Sequence, residues 1–381
     1  MADRKICWLW GKSIDIQTDV LLGPFTTLRI GGRARFFAHA KSETDVAEAH
    51  SFARDNGLEL FILGGGSNVL ISDSGFDGLV LKIGLCRTSP QQIPPIGPED
   101  VIIKVPAGDD WDAFVAECVD AGLSGIECLS GIPGSIGGTP VQNVGAYGQE
   151  VSDTIVSVRC FDRQTEKIVE LSNTECGFCY RKSIFNTSMR DRYIVLEVTY
   201  SLCRGGDPMI EYKDIANHFA GKEPTLFETR SAVLQIRRSK SMVIVEQDEN
   251  SRSAGSFFKN PIVPKEMLAE IERQAGSEST PFFTIDDEKV KVPAAWLIET
   301  AGFHKGFVLG RVGISSKHTL AIINRGGASA QDVMELKEAI QEAVKRKFGI
   351  ELRAEPVFVG FSGSRVVHDA SGSLKRHQLI R

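Results

Sequence analysis

The spacing of apolar residues along the chain alternates between a period typical of helices and one typical of strands. Helical spacing occurs at residues 44–56 and again from about residue 111 to Gly122, where Asp109 or Asp110 can cap the helix. Short apolar or alternating runs indicate strands at residues 58–63, 79–83, 101–105, 155–163, 167–171 and 193–202. The N-terminal half therefore repeats one order of strand, glycine and helix, and it predicts a mixed α and β fold.

The ends of the chain and its C-terminal half follow a different pattern. Residues 1–20 predict a loosely attached arm, and residues 26–40 predict two short strands around Gly31 and Gly32. Further along, residues 351–361, which include Glu355, predict a strand, and residues 362–381 predict a polar tail. Helices are predicted at residues 211–219, 225–239, 293–301 and 329–348.

Two glycine-rich loops interrupt this pattern, at residues 64–68 and at residues 125–148. Such segments do not pack as helices, and consecutive backbone N–H groups in glycine loops form concavities that bind phosphate oxygens. A Rossmann motif requires a helix directly after the glycines, whereas residues 69–73 are β-like. The loops therefore predict an anionic cofactor held on another scaffold, with ordinary turns as the alternative.

Composition limits the partners of the chain. The 381 residues are 42% hydrophobic and 24% charged, with a net charge of −5, so general binding to nucleic acid or to an anionic membrane is not expected. No apolar run reaches the roughly 18 residues that span a bilayer, and the N-terminus lacks the features of a signal peptide. Eight scattered cysteines suit a reducing cytoplasm. Cys176 and Cys179 form a C-x-x-C pair without a second ligand pair nearby, so no metal site is predicted.

Six short motifs occur along the chain, and their combination and order are more informative than any one of them alone. They are TTLRIGGRA (26–34), GGGSNVLI (64–71), GIPGSIGGTPVQNVGAYG (131–148), YRKSIF (180–185), AGSFFKNP (254–261) and AEPVFVG (354–360). Together they resemble the UDP-N-acetylenolpyruvoylglucosamine reductases, also called UDP-N-acetylmuramate dehydrogenases, from about residue 21 to residue 361. The resemblance implies an α+β fold, with a two-lobed FAD-binding domain of the vanillyl-alcohol-oxidase (PCMH) type and a C-terminal α+β substrate-binding domain. The predicted elements fit lobes at 21–86 and 87–204 and a substrate domain at 205–361.

The same resemblance implies the cofactors and the reaction. NADPH reduces FAD, and the enolpyruvyl group of UDP-N-acetylenolpyruvoylglucosamine is then reduced to give UDP-N-acetylmuramate for peptidoglycan synthesis. We expect FAD to be bound non-covalently, because the first glycine loop has no histidine of the kind to which some relatives attach flavin. The partners are then the UDP-sugar and NADPH, and the protein is expected to be a cytoplasmic monomer. The implied cofactor-binding residues are Gly64, Gly65, Gly66, Ser67, Asn68, Gly131, Gly134, Ser135, Gly137 and Gly138.

Three residues carry the chemistry that the resemblance implies. Hydride addition to the enolpyruvyl β-carbon places negative charge on the α-carbon and its carboxylate, so the protein must stabilise that charge and supply a proton. Arg181 suits the carboxylate because its planar guanidinium is permanently charged. Glu355 lies among apolar neighbours, and burial would keep it protonated and able to hydrogen-bond the developing charge. Ser256 is implied as the proton donor to the α-carbon. Without the motifs, these three would be a surface arginine, a strand-edge carboxylate and a turn serine.

Four further residues are implied as substrate-binding: Tyr147, Tyr212, Lys240 and Asn260. Tyr212 stands where one form of the family carries a tyrosine on an extra loop that folds over the substrate. This favours the tyrosine-bearing form, although residues 299–306 resemble the other form. Without the motifs, a single tyrosine usually packs in a core and a lysine is usually solvated.

Two alternatives remain open on the sequence. One is an oxidase of the same flavin fold that acts on an alcohol or hydroxy acid and needs a base such as histidine facing the flavin. The histidines of this chain, His39, His218, His304 and His318 among them, do not cluster with the motifs. The other alternative is a flavin-binding protein without catalytic activity.

Overall fold

The computed structural model describes residues 14–89, 99–276 and 280–361. The predicted tail at residues 362–381 and the first 13 residues of the predicted arm lie outside these described residues. Within the described ranges, no helix combines the length and the apolarity that crossing a membrane requires.

The first part of the chain forms five strands and one helix. These are β1 Ile16–Leu21, β2 Arg33–Ala40, α1 Glu43–Asp55, β3 Leu60–Leu63, β4 Val69–Ile71 and β5 Phe76–Ile83. Four of the strands make a sheet in the order β1-β2-β5-β3, in which β1 is antiparallel to β2 and the other two pairs are parallel. The predicted α1 is confirmed, and it begins with a capping box between Ser42 and Asp45.

Two predictions for this part are wrong. The supposed arm includes β1, which pairs with β2 over its whole length, from Ile16 to Leu21. Residues 26–32 do not form the first strand of a hairpin. The Thr26 hydroxyl lies 3.0 Å from the carbonyl oxygen of Gly23 and 3.2 Å from that of Ile30, so this segment folds as a closed turn.

The second part is built on an antiparallel sheet in the order β11-β10-β12-β6, with β7 also paired to β12. The bounds are β6 Asp100–Pro106, α2 Trp111–Asp120, β7 Leu123–Ser124, β8 Gly145–Ala146, β9 Gln149–Glu150, β10 Ile155–Asp162, β11 Lys167–Ser172, α3 Asn173–Cys176 and β12 Tyr193–Arg204. The cap of α2 is Asp110, whose carboxylate accepts the N–H of Ala113 at 2.9 Å. Apolar residues of the first two parts share one core, in which Phe52 and Leu81 join Trp111 and Tyr200.

The described residues of the third part form five helices and several short strands. They are α4 Lys213–Phe219, α5 Leu226–Ser239, β13 Ile262–Pro264, α6 Leu268–Ala275, β14 Phe283–Thr284, β15 Lys289–Lys291, α7 Ala294–Thr300, β16 Val308–Leu309, β17 Val312–Ile314, β18 Ile322–Asn324, α8 Ala330–Phe348 and β19 Val357–Val359. The four predicted helices are confirmed. The short strands from β13 to β18 were not predicted, because two or three residues carry almost no periodic signal. Helix α6, with eight residues, was not predicted either.

The last described strand, β19, lies against the first part of the chain. β19 pairs parallel with β4, and Leu28, Ile30 and Leu70 of the first part lie in the core of the third. The predicted strand at residues 351–361 is confirmed only at β19, so Glu355 precedes the strand instead of lying within it. This return brings the C-terminal segment next to the first glycine loop.

Asp73 gives a direct test of the contact between the first part and α8. Its carboxylate accepts the backbone N–H of Ala330 at 2.8 Å and of Gln331 at 3.1 Å, two groups that have no partner inside the helix. We expect Asp73→Ala to lower the free energy of unfolding by about 1 kcal/mol, measured by urea denaturation. The control, Asp77→Ala, removes only an exposed ion pair with Arg35 and is expected to cost less than about 0.5 kcal/mol. Equal losses in the two variants would contradict this account.

Candidate active site

A cavity of about 1300 Å³ opens among the three parts of the chain. Its walls include the glycine loop at residues 64–68, several residues of the glycine loop at 125–148, and side chains from the third part of the chain. Of the residues singled out from the sequence, those that line it are Gly64, Gly65, Gly66, Ser67, Asn68, Gly134, Ser135, Gly137, Gly138, Tyr147, Arg181, Tyr212, Lys240, Ser256 and Glu355. Segments far apart in sequence therefore meet around one space.

The two glycine loops approach each other closely along one wall. A Cβ atom added at Gly65 would lie only 2.6 Å from the Cα of Gly134, so only glycine permits this contact. Lys82 supports the first loop from behind, with its Nζ 2.5 Å from the carbonyl oxygen of Gly64. The buried hydroxyl of Ser135 has no hydrogen-bond partner among the described residues. The wall thus offers bare backbone and an unsatisfied hydroxyl, which suits a phosphate-bearing ligand.

Two of the predicted site residues do not line the cavity. The N–H of Gly131 donates to Asp112 Oδ1 at 2.6 Å, and a Cβ at this position would meet Leu234 of α5 at 2.8 Å. The side-chain oxygen of Asn260 accepts the N–H of Ala294 at 2.9 Å, which satisfies the N-terminus of α7. Both residues therefore support the walls of the cavity from outside.

Arg181 and Glu355 are in direct contact, with Arg181 Nε 3.3 Å from Glu355 Oε1. The guanidinium is also anchored by its Nη2, which donates to the carbonyl oxygen of Gly145 at 2.7 Å. Burial raises the pKa of Glu355, and this outweighs the opposing influence of Arg181 and Lys259. The pair can therefore hold a substrate carboxylate next to an acid that keeps its proton more readily than an exposed glutamate.

Glu355 is placed by hydrogen bonds on both sides of its backbone. Its N–H donates to the carbonyl oxygen of Phe257 at 2.9 Å, which links it to the segment that carries Ser256. On the other side, the N–H of Val357 donates to the carbonyl oxygen of Asn68 at 2.9 Å. The side-chain amide of Asn68 lies 2.6 Å from Gln142 Oε1, so much of its donor capacity is used within the protein.

Ser256 contacts a residue that the sequence analysis did not select. Its Oγ lies 3.4 Å from His318 Nε2, and both residues line the cavity. The expectation that the histidines stand apart from the motifs is therefore wrong for His318. The fold brings it there because it lies in the turn between β17 and β18, and the N–H of Phe257 donates to the carbonyl oxygen of Leu320 in the same turn, at 2.7 Å. No local pattern marks this contact in the sequence, because the two flanking strands have only three residues each.

A second group of polar residues lies together along the cavity. The rings of Tyr147 and Tyr212 meet edge to face with centroids 5.4 Å apart, and Lys240 Nζ lies 2.7 Å from Asp214 Oδ2. Arg237, which was not predicted from the sequence, is also buried here, and its Nε has no partner among the described residues. Arg237 lies four residues after Val233, so the two residues share one face of α5. This spacing could have indicated that Arg237 faces inward with the apolar residues of the helix.

Comparisons with known proteins first define the class. Residues 34–172 match the model of an FAD binding domain, and together with the fold they define an FAD-containing oxidoreductase of the vanillyl-alcohol-oxidase type. Residues 247–359 match the model of the UDP-N-acetylenolpyruvoylglucosamine reductase C-terminal domain. The predicted fold class and the FAD cofactor are thereby confirmed.

The relatives narrow this class to a family. The UDP-N-acetylenolpyruvoylglucosamine reductase of Thermobifida fusca is 45% identical over 354 residues, which cover 90% of this chain and 97% of that protein. That of Streptomyces coelicolor is 42% identical and covers 90% of each chain. The crystal structure of the Thermus caldophilus reductase, at 26% identity, superposes with a TM-score of 0.62 over 91% of this chain and 99% of that one. The chain belongs to the UDP-N-acetylenolpyruvoylglucosamine reductase family.

The cavity fits the FAD that this family uses. The bare backbone of the two glycine loops and the unsatisfied Ser135 hydroxyl suit the oxygens of a pyrophosphate. Among the described residues, no cluster of histidine, cysteine, aspartate or glutamate side chains could hold a metal ion.

The contact between Gly65 and Gly134 gives a test of this fit. We expect Gly65→Ala to push the loops apart, since its Cβ would overlap backbone atoms, and to reduce the fraction of purified protein that retains FAD by at least about tenfold. Flavin absorbance per protein chain measures this fraction, and circular dichroism checks the fold. Gly23→Ala is the control, because its Cβ would meet its nearest neighbours at an ordinary 3.5 Å. Full flavin content in Gly65→Ala would show that the contact does not shape the cofactor site.

Proposed function

We propose that this protein catalyses the NADPH-dependent reduction of UDP-N-acetylenolpyruvoylglucosamine to UDP-N-acetylmuramate in peptidoglycan precursor synthesis. The observation that supports it is the meeting of Arg181, Glu355 and Ser256 in the cavity that the two glycine loops border. Bound FAD supplies the hydride chemistry, with hydride from NADPH in one half-reaction and hydride to the enolpyruvyl β-carbon in the other. The residues that would hold it are those of the loop at 64–68 together with Gly134, Ser135, Gly137 and Gly138.

Each catalytic side chain has one role in this proposal. Arg181 holds the substrate carboxylate, because its backbone contacts fix the direction of the guanidinium. Glu355, whose pKa is raised by burial, donates a hydrogen bond to the carboxylate as negative charge develops on it. Ser256 gives its hydroxyl proton to the α-carbon.

The remaining polar residues are proposed to hold the UDP-sugar. Lys240 is placed to attract the diphosphate, and Tyr212, whose ring is nearly perpendicular to that of Tyr147, is placed to cover the substrate. We therefore propose the tyrosine-bearing form of the family. Gly131 and Asn260 are left out of the ligand-binding set, because neither lines the cavity; the N–H of Gly131 bonds to Asp112 and the side-chain oxygen of Asn260 to Ala294.

The organisation around this site is also part of the proposal. We place two FAD-binding lobes at residues 21–86 and 87–204 and a substrate domain at 205–361, in accord with the two larger sheets, each of which lies within one of the proposed lobes apart from the start of β1. β1 extends the first lobe back to Ile16. A cytoplasmic monomer is the proposed form of the enzyme.

The alternative of an oxidase would need a base facing the flavin. His318 lies near Ser256 in the cavity and is the histidine that could be considered for this role. Membership of the reductase family nevertheless favours the reductase.

Following the two half-reactions separately tests the function and the role of Ser256. We expect NADPH to bleach the flavin of the wild-type enzyme and the enolpyruvyl sugar to restore its colour. Ser256→Ala should leave bleaching nearly unchanged and slow the recolouring step by about 100-fold or more. Stopped-flow absorbance measures both rates, with Ser51→Ala in α1 as the control. Equal losses in the two half-reactions would contradict the assigned role.

The raised pKa of Glu355 predicts a pH dependence. The neutral acid is the form that donates a hydrogen bond, so the rate of the recolouring step is expected to fall as pH rises through that pKa. In Glu355→Gln the amide donates at every pH. We expect this variant to be about 100-fold slower and to lack the fall that Glu355 causes. A rate profile with an unchanged fall in Glu355→Gln would assign the titration to another group.

A further inference from the structure

We propose that His318 is a positioning residue for Ser256, donating a hydrogen bond from Nε2 to the serine oxygen so that the hydroxyl proton points at the substrate. The inference deepens the proposed function and rests on it. It starts from the 3.4 Å distance between Ser256 Oγ and His318 Nε2 in the wall of the cavity.

The backbone holds these two residues together independently of their side chains. The N–H of Phe257, directly after Ser256, donates to the carbonyl oxygen of Leu320 at 2.7 Å. The turn that carries His318 is closed by Ala321, whose N–H donates to the carbonyl oxygen of His318 at 3.1 Å. A further bridge pairs Ser253 with Ile323 of β18. The segment before Ser256 and the segment after His318 therefore run side by side.

The direction of the hydrogen bond follows from the chemistry of the serine. If Nε2 accepted the hydroxyl proton, that proton would point away from the α-carbon and could not be transferred. When Nε2 carries the hydrogen and donates, the Oγ lone pair is occupied and the O–H bond is free to face the substrate. The same donor stabilises the alkoxide that forms as the Oγ–H bond breaks and the α-carbon–H bond forms. Solvent then returns a proton to the alkoxide.

The surroundings keep the ring neutral, which this role requires. Burial is the largest influence and lowers the pKa of His318 to about 4, and the nearby cations Lys240, Lys305 and Arg237 act in the same direction. A charged imidazolium would compete with Ser256 as an acid and would repel those cations. The cations also favour negative charge on the serine oxygen, a group that is intrinsically a poor acid.

A double-mutant cycle tests the proposal. We expect His318→Phe, which keeps a ring but removes the donor, to slow recolouring of the flavin by the enolpyruvyl sugar about 10-fold to 100-fold at saturating substrate. Bleaching by NADPH should be nearly unchanged. His318→Gln, with a side-chain N–H, should recover much of the rate. In the Ser256→Ala background, His318→Phe should add almost no further loss, because the partner that it positions is already gone.

The controls separate the possible failures. His304→Phe changes an exposed histidine of the same domain and should have no effect on either half-reaction. Flavin content and the bleaching rate show whether each variant is folded. A wild-type enzyme that the enolpyruvyl sugar does not recolour would overturn the proposed function itself. A competent wild type in which His318→Phe has no effect, or slows Ser256→Ala by the same factor as the parent, would overturn the role of His318 alone.

Discussion

The segment from Arg353 to Val359 is hydrogen-bonded along both of its edges, and the geometry of the site depends on this double pairing. One edge bonds to the segment of Ser256, through Phe257 and Lys259, and the other bonds to Asn68 at the end of the first glycine loop. Glu355 lies between them. One short piece of backbone thus sets the distance of the acid from the cofactor loop and from the serine at once. A displacement of about 1 Å in such a site can cost roughly 100-fold in rate.

The charges of the site are arranged under the same constraint. The Glu355 side chain is largely shielded from solvent, which raises its pKa even though it lies beside Arg181 and near Lys259. Burial in turn lowers the pKa of Lys259. These charges therefore suit the substrate anion that the proposed function places beside Arg181.

Local sequence was sufficient for much of the fold. Helix α8 was predictable because its apolar stripe is long and because Ser329 and Asp332 form a capping box at its start. The β-like residues after the first glycine loop excluded a Rossmann site, and β4 confirms that reading. Ordered motifs then identified the family and its cofactor. The sequence was misleading where a segment is too short to show a clear periodic pattern. Residues 16–20 were predicted as a loose arm but form most of β1, and Glu355 was predicted within a strand but precedes β19.

The sequence by itself determined most of the longer helices, most strands of the two larger sheets, the glycine loops and the family, since these follow from local periodicity and from contiguous motifs. Only the tertiary structure decided that Asn68 is bonded to Gln142, that Asn260 serves α7, and that His318 meets Ser256 from 62 residues away. The physical reason is that a side chain's partner is set by which backbone segments pair. Pairing between distant segments depends on the packing of the whole chain, and no local pattern encodes it.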